Sequence, residues 1–229
     1  MMITDFHSHI LPRADHGSDS IETSLVQLDM ARGAGVGRIV ATPHFYPHRD
    51  TLEAFLARRD RCAEELFAAR DPGCSLDIRL GAEVLICQGI ERLEGLDKLC
   101  ISGTRAIMLE LPVSTFSSSF IACIDEMIGL GYDIILAHAD RYEPENVERL
   151  IEVGAKIQLN ASALATVFKK KHLYSWIERG HVVALGSDIH MRDKGAYAAF
   201  VKAIRKLGGL AEQIMKSSDS FFVSPRTSE

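Results

Sequence analysis

Short apolar runs alternate with longer amphipathic stretches along the whole chain. The runs are Ile3–Phe6, Arg38–Ala41, Leu76–Leu80, Ala106–Leu109, Asp133–Ala137, Lys156–Leu159 and Val182–Leu185. They are rich in Ile, Val and Leu and too short for helices, so they predict buried parallel strands. The stretches between them predict helices. Asp19-x-x-Glu22 has the form of a capping box and opens a helix running to about Ala34, stopped by Gly35. Asp50-x-x-Glu53 opens another, running to about Arg70 before Pro72-Gly73. Phe116–Leu130, Pro144–Val153 and Ala196–Leu207 complete the set, each followed by glycine. Strand-then-helix alternation over this length predicts an α/β chain wound into a closed or nearly closed βα barrel, with about seven strands where eight are usual. Residues 1–216 are expected to form one barrel domain, and the polar segment 217–229 a flexible tail.

Composition narrows the class. The 229 residues are 47% hydrophobic and 25% charged, close to the globular average, which rules out a disordered or fibrous chain. Net charge is −5, which disfavours nucleic acid as a partner. No apolar run approaches the ~20 residues of a membrane span. The N-terminus lacks the basic and apolar regions of a signal peptide. Five cysteines, Cys62, Cys74, Cys87, Cys100 and Cys123, include no CxxC pair. An odd, dispersed set of this kind predicts no disulfide framework and a reducing, cytoplasmic location.

The chemistry lies at the strand ends. His7, His9 and Asp15 follow the first run; His44 follows the second and Glu83 the third. Glu110 ends the fourth, His138 the fifth and Asn160 the sixth, while Asp188 and His190 follow the last. In a βα barrel all strand C-termini open onto one face, so these side chains are expected to converge there. Imidazole and carboxylate together suit borderline divalent ions such as Mn, Fe, Zn or Ni. Their number exceeds one tetrahedral site and matches two or three ions sharing bridging carboxylates. Taken singly, each motif has an ordinary explanation: a turn at Thr-Pro-His, solvated strand ends at Glu83 and Glu110, a helix start at Asp188. What argues against those explanations is that nearly every predicted strand ends in a ligand type.

Asp5-Phe-His-Ser-His-Ile-Leu-Pro, Ala-Thr-Pro-His44, Gly-Ala-Glu83, Ala-His138-Ala-Asp-Arg-Tyr and Gly-Ser-Asp188-Ile-His190, in that order, resemble the PHP (polymerase and histidinol phosphatase) superfamily. The nearest branch is the CpsB/YwqE-type bacterial protein-tyrosine phosphatase, associated with capsule and exopolysaccharide gene clusters. The resemblance spans about residues 3–192 and implies the PHP fold, a distorted seven-stranded (β/α)7 TIM-like barrel. It also implies a trinuclear centre, commonly manganese, with Fe, Zn, Ni or Co as alternatives. Position by position, it assigns His7, His9, Asp188 and Glu83 to a first ion. Glu83, Glu110 and His138 go to a second, and Asp15, His44 and His190 to a third. Arg141 falls where the branch uses an arginine on the phosphate, and the resemblance makes Arg141, Asp188 and His44 the catalytic set.

The chain departs from the branch in two places. Asp15-His16-Gly17 replaces the usual Asp-Asp-Gly, and Arg192 or Lys194 must stand in for a second phosphate-binding arginine found several residues beyond the last His. The activity implied is phosphotyrosine hydrolysis by metal-activated hydroxide, with a phosphotyrosine protein as partner, such as a bacterial tyrosine kinase of polysaccharide synthesis. The alternative is the same chemistry on a small phosphate such as histidinol phosphate or a nucleotide. Two more distant rivals are a metal-dependent amide or lactone hydrolase and a non-catalytic binding domain. No cysteine is followed by Arg at the Cys-x5-Arg spacing, so covalent thiol catalysis is not expected.

Overall fold

The computed structural model describes residues 2–112, 116–167 and 170–223. The described residues form nine strands and eight α-helices. β1 (Thr4–Ser8), β2 (Arg38–Ala41) and β4 (Asp77–Leu80) form a three-stranded parallel sheet in the order β1-β2-β4. β3 (His44–Phe45), β5 (Glu83–Leu85), β6 (Ala106–Glu110), β7 (Asp133–Leu136), β8 (Lys156–Asn160) and β9 (Val182–Gly186) form a second parallel sheet, six strands in that order. The helices are α1 (Ile21–Gly33), α2 (Leu52–Ala69), α3 (Ser118–Gly129), α4 (Pro144–Glu152), α5 (Ala161–Leu164), α6 (Lys171–Glu178), α7 (Lys194–Leu207) and α8 (Gly209–Val223).

All seven expected apolar runs contain a strand, and the α/β class with parallel pairing holds. The expected single seven-stranded barrel does not describe the ladders, which divide into two sheets. The division has local causes. Pro43 separates β2 from β3 and has no N–H for a ladder bond. Gly81-Ala82 separates β4 from β5. Across both breaks the chains stay adjacent: the Gly81 N–H donates to Ala41 O (2.9 Å) and the Glu83 N–H to Pro43 O (3.1 Å). At the other edge the Asp188 N–H donates to His7 O (2.9 Å), tying the residues after β9 to β1.

Alternation along the strands sorts apolar side chains into two cores. Phe6, Val40, Ala106, Met108, Ile135 and Ala137 fill the smaller. Ile39, Ala41, Ile107, Leu109, Ile134 and Leu136, their neighbours in the chain, pack into the larger one with the helices. Glu110 shares the face of Ala106 and Met108 by the same period, which aims it at the end of the inner core.

Two helix starts are one residue later than the capping-box pattern suggests. Ser20, not Asp19, caps α1 by accepting from the Thr23 N–H, and Thr51, not Asp50, caps α2 by accepting from the Ala54 N–H. Asp50 instead takes the Arg58 guanidinium at 2.6 Å. The segment expected as a tail is helical over its described part. Ser217–Val223 complete α8, which packs Phe221 and Phe222 on Phe6 at ring separations of 5.7 and 6.0 Å. Residues 224–229 lie outside the described residues. No described helix is long and apolar enough to cross a membrane.

Candidate metal centre

Eight of the nine expected ligands lie in a strand or within four residues of a strand's C-terminus, and Asp15 lies in the segment between β1 and α1. His7 lies in β1, with His9 beyond its end, and the β1–β2 register shifts between Asp5 and Ser8, where apolar Phe6 gives way to these imidazoles. His44 opens β3, Glu83 opens β5 and Glu110 closes β6. His138 and Asp188 follow β7 and β9 in left-handed conformations, φ 32° and 51°. A non-glycine residue rarely adopts that region, and such backbone collects at functional sites.

The donor atoms converge on Glu83, which is 1% exposed. Its Oε2 lies 3.2 Å from both His7 Nε2 and His9 Nε2, which are 3.1 Å from each other. Asp188 Oδ1 completes this group at 3.7 and 3.5 Å from the same two nitrogens. The other oxygen, Glu83 Oε1, lies 2.7 Å from His138 Nε2, and Glu110 Oε1 is 3.7 Å from that nitrogen. His44 Nδ1 stands 3.0 Å from Glu83 Oε2 and 3.7 Å from Glu110 Oε2. Three overlapping clusters result: His7, His9 and Asp188; His44, Glu83 and Glu110; His9, His44 and His190.

Asp15 belongs to none of the three. Its Oδ2 meets His9 Nδ1 at 2.7 Å and accepts the His44 N–H at 3.0 Å, so it orients one imidazole and anchors the strand that carries another. Such outer partners fix the tautomer of a ligating His.

Crowding sets the electrostatics. Burial opposes the charged form of His7, yet Glu83 and Asp188 hold its imidazole above the ordinary range. Burial also opposes ionisation of Asp188, but His7 and His9 keep its carboxyl well below the usual value. For Glu110 burial, then the charge of Glu83, outweighs the opposing pull of His7, His9 and Arg141 and pushes it up to about 7. Burial lowers His44 to about 4, against the pull of Glu83. The His44 Nδ1 atom is buried and has no hydrogen-bond partner among the described residues. A buried imidazole nitrogen that stands 3.0 Å from a carboxylate oxygen yet makes no hydrogen bond is what a divalent cation would satisfy, and all the other donors are of the N and O types borderline ions take. The residues therefore fit a metal cluster.

A supporting layer was not read from the sequence. Gln158 Oε1 accepts the His138 N–H at 2.6 Å and lies 3.2 Å from His7 Nδ1. The Gln158 amide donates to Asn160 Oδ1 (3.0 Å), and Asn160 Nδ2 donates to Asp188 Oδ2 (2.9 Å). Asn160, expected as a ligand type, thus contacts Asp188, an expected ligand. The Tyr142 hydroxyl lies 3.1 Å from His138 Nδ1. Asp5 is fully buried and accepts from the Ser187 N–H, the Ser187 hydroxyl and the Tyr197 hydroxyl at 2.8, 2.6 and 2.8 Å, clamping β1 to the turn that carries Asp188. The alternating Gln-x-Asn in the second half of β8 was the available signal for part of this layer. Two glycines are imposed by close approach: a Cβ at Gly17 or Gly186 would collide with Cβ of His9 or His7 respectively. His16, which replaces the usual second Asp, lies parallel to His44 with ring centroids 4.9 Å apart, and 4.7 Å from the His190 ring.

The three expected phosphate contacts separate. The Arg141 guanidinium donates to Asp188 Oδ2 and is half exposed at the rim of the cluster. Arg192 instead donates to Thr23 Oγ1 at 3.3 Å, near the start of α1. Lys194 begins α7 and borders a groove with Met30, Gly33 and Tyr197. Among the described residues, neither is hydrogen-bonded or ion-paired to any of the nine.

Comparison with known proteins follows the same chemistry. Residues 3–208 match the sequence profile of the family described as capsular polysaccharide synthesis, CpsB/CapC. The tyrosine-protein phosphatase CpsB of Streptococcus pneumoniae is 27% identical over 209 residues, covering 82% of this chain and 83% of its own. The tyrosine-protein phosphatase YwqE of Bacillus subtilis is 28% identical over 178 residues, 73% and 68% of the two chains. A solved structure from a study of YwqE and CpsB, there called unique metal-dependent tyrosine phosphatases, superposes with a TM-score of 0.80. It covers 96% of this chain and 94% of that one at 22% identity, which is likeness of fold.

Proposed function

The chain belongs to the CpsB/CapC family of capsular polysaccharide synthesis, and on that premise we propose that it is a metal-dependent phosphomonoesterase acting on phosphotyrosine in protein. The observation that carries the proposal is Glu83, whose two oxygens face two different donor groups, the arrangement of a carboxylate bridging two ions. His7, His9, Glu83 and Asp188 would hold one ion, and Glu83, Glu110 and His138 a second. His44 and His190 would hold a third, with Asp15 either joining them or orienting His9. Divalent ions bound there would supply Lewis acidity toward phosphate oxygens and a nucleophilic water at neutral pH. Manganese is the proposed metal, and Fe, Zn, Ni and Co suit the same donors.

The chain's own residues do the rest. Arg141 offers a planar pair of N–H groups to two phosphate oxygens, geometry an ammonium cannot copy. Asp188 holds that guanidinium over the cluster and is itself fixed by Asn160. His44, whose Nδ1 makes no hydrogen bond, stands 3.0 Å from Glu83 in the same cluster. A phenolate is a better leaving group than an alkoxide, so phosphotyrosine places less demand on a protonating acid than phosphoserine does. The proposed partner is a phosphotyrosine protein of polysaccharide synthesis, such as its tyrosine kinase, met in the cytoplasm.

The test is metal content of the purified protein, then turnover of a phosphotyrosine peptide, a phosphoserine peptide and histidinol phosphate. The expected result is at least two ions per chain and a clear preference for the phosphotyrosine peptide. Preference for histidinol phosphate would move the assignment to a small-molecule phosphatase. Activity that survives chelation would sink the metal mechanism.

A further inference from the structure

A cleft of about 260 Å3 opens beside Glu110, lined by Tyr46, His48, Arg49, Leu85, Leu111 and Pro112. It is smaller than the ~300–1,000 Å3 of sites for drug-sized ligands, so it suits a single side chain. One wall is aliphatic, from Leu85, Leu111 and Pro112. The other is the Tyr46 phenol, held nearly parallel to His44 with ring centroids 5.1 Å apart and planes 16° apart. An aromatic wall locked against a proposed ligand, an aliphatic wall opposite, and Glu110 of the cluster among the lining residues make a slot for a flat apolar group attached to phosphate.

The cation of the cleft is Arg49. Its guanidinium lies 5.2 Å from the Tyr46 ring centroid, and its Nε donates to His48 Nε2 at 3.2 Å. Other arginines of this region have acids: Arg58 takes Asp50 and Arg59 takes Asp60. Among the described residues Arg49 has no carboxylate partner, and it touches none of the nine clustered side chains. It reaches the centre only through Tyr46, which places it where a residue next to the phosphotyrosine would lie, not where the phosphate would.

We propose that this cleft is the subsite for the substrate's aromatic ring, with Tyr46 as its aromatic wall and Arg49 as the contact for an acidic residue flanking the phosphotyrosine. The proposal rests on the phosphatase reading and adds what selects the substrate. Aromatic contacts of this kind are worth about fivefold to tenfold in binding or rate.

The experiment uses the full chain loaded with manganese. It compares kcat/KM for phenyl phosphate with that for glycerol phosphate, and for a phosphotyrosine peptide with Asp flanks with that for its Asn counterpart. Tyr46→Ala and Leu85→Ala should each lower the phenyl-to-glycerol ratio about fivefold to tenfold, while Tyr46→Phe keeps it. Arg49→Glu should remove an about tenfold preference for the acidic peptide. Ratios unmoved in both Tyr46→Ala and Leu85→Ala overturn the ring subsite, and an unchanged peptide preference in Arg49→Glu overturns the role of Arg49. Calorimetric binding of phenylphosphonate against methylphosphonate separates failure of the subsite from failure of the phosphatase reading. If the wild-type protein cleaves no ester yet prefers phenylphosphonate in a Tyr46-dependent way, the catalytic assignment fails and the subsite stands. Equal affinity for both phosphonates overturns the subsite.

Discussion

The two ends of the strand array are built from the same strands and opposite chemistry. At the N-terminal ends, the charged first residues of strands are neutralised pairwise. Arg38, first in β2, donates to Asp77, first in β4, at 2.8 Å and to Asp219 of α8 at 3.0 Å. Lys156, first in β8, donates to Asp133, first in β7, at 2.7 Å. Phe221 and Phe222 close that end over Phe6, with the Arg38 guanidinium 4.1 Å from the Phe222 ring centroid. At the C-terminal ends, acids and imidazoles crowd around Glu83 with donor atoms facing one another, and His44 Nδ1 makes no hydrogen bond among the described residues. The charges named at one end are paired within the chain, and the other end calls for a charge the chain does not have. A parallel α/β scaffold divides its labour this way: stability below, chemistry above.

The largest expected effect tests the upper end. His138→Ala or Asp188→Ala should abolish phosphotyrosine turnover and lower bound metal, and chelation of the wild type should do the same. Changing all five cysteines to Ser should leave turnover nearly intact, since no thiolate takes part. Metal analysis by mass spectrometry and a phosphate-release assay check both. Full activity in either single variant breaks the comparison, because that end would then be merely another satisfied polar surface.

Next comes Arg141. If its guanidinium gathers phosphate charge, Arg141→Lys should lower kcat/KM on the order of 10²-fold, equivalent to ~2.7 kcal/mol, with metal content and Tm barely moved. Near-normal turnover would reduce the contact with Asp188 to a rim ion pair of little energetic weight.

The lower end should respond in the opposite sense. Phe222→Ala removes an aromatic wall from a half-buried position, so thermal unfolding should show a loss of about 2 kcal/mol, or ~4–8 °C in Tm. Metal content and kcat of the folded fraction should hold. A loss of metal without a loss of stability would show that the two ends are coupled.

The smallest effect is on the acid limb of stability. Burial opposes ionisation of Asp77, yet Arg38 and Arg79 hold its carboxyl below the ordinary 3.8. A carboxyl lowered in the folded state contributes stability above its unfolded value and loses it as pH falls through the lower folded value. In chelated protein, Asp77→Asn should therefore be less stable than wild type at neutral pH. The gap should shrink only below about pH 4. A gap that is constant with pH would mean that Asp77 contributes shape and not charge.

The sequence by itself determined the alternation of strands and helices, because apolar periodicity is local and each run is long enough to declare its period. It also determined the kinds of atoms at the site, because His7, His9, His44, Glu83, Glu110, His138, Asp188 and His190 sit at or just past runs whose ends share one face. Helix starts were legible only to within a residue. Asp19 and Ser20 are both good caps, and the choice of Ser20 was settled by where its oxygen meets the Thr23 N–H. Tertiary structure alone decided the rest. Phe221-Phe222, in a segment whose polar composition suggested a loose tail, owe their order to Phe6, more than 200 positions away. Gln158 and Asn160 became the frame of the centre because strand order sets β8 beside β7 and β9. Asp15 was turned onto His9 and the His44 backbone, and Arg192 was carried away to Thr23 while Arg141 stayed at the rim. A residue's chemistry and the period of its neighbours are written in the chain, but the partner a side chain meets depends on contacts between distant segments, and those exist only once the sheets have assembled.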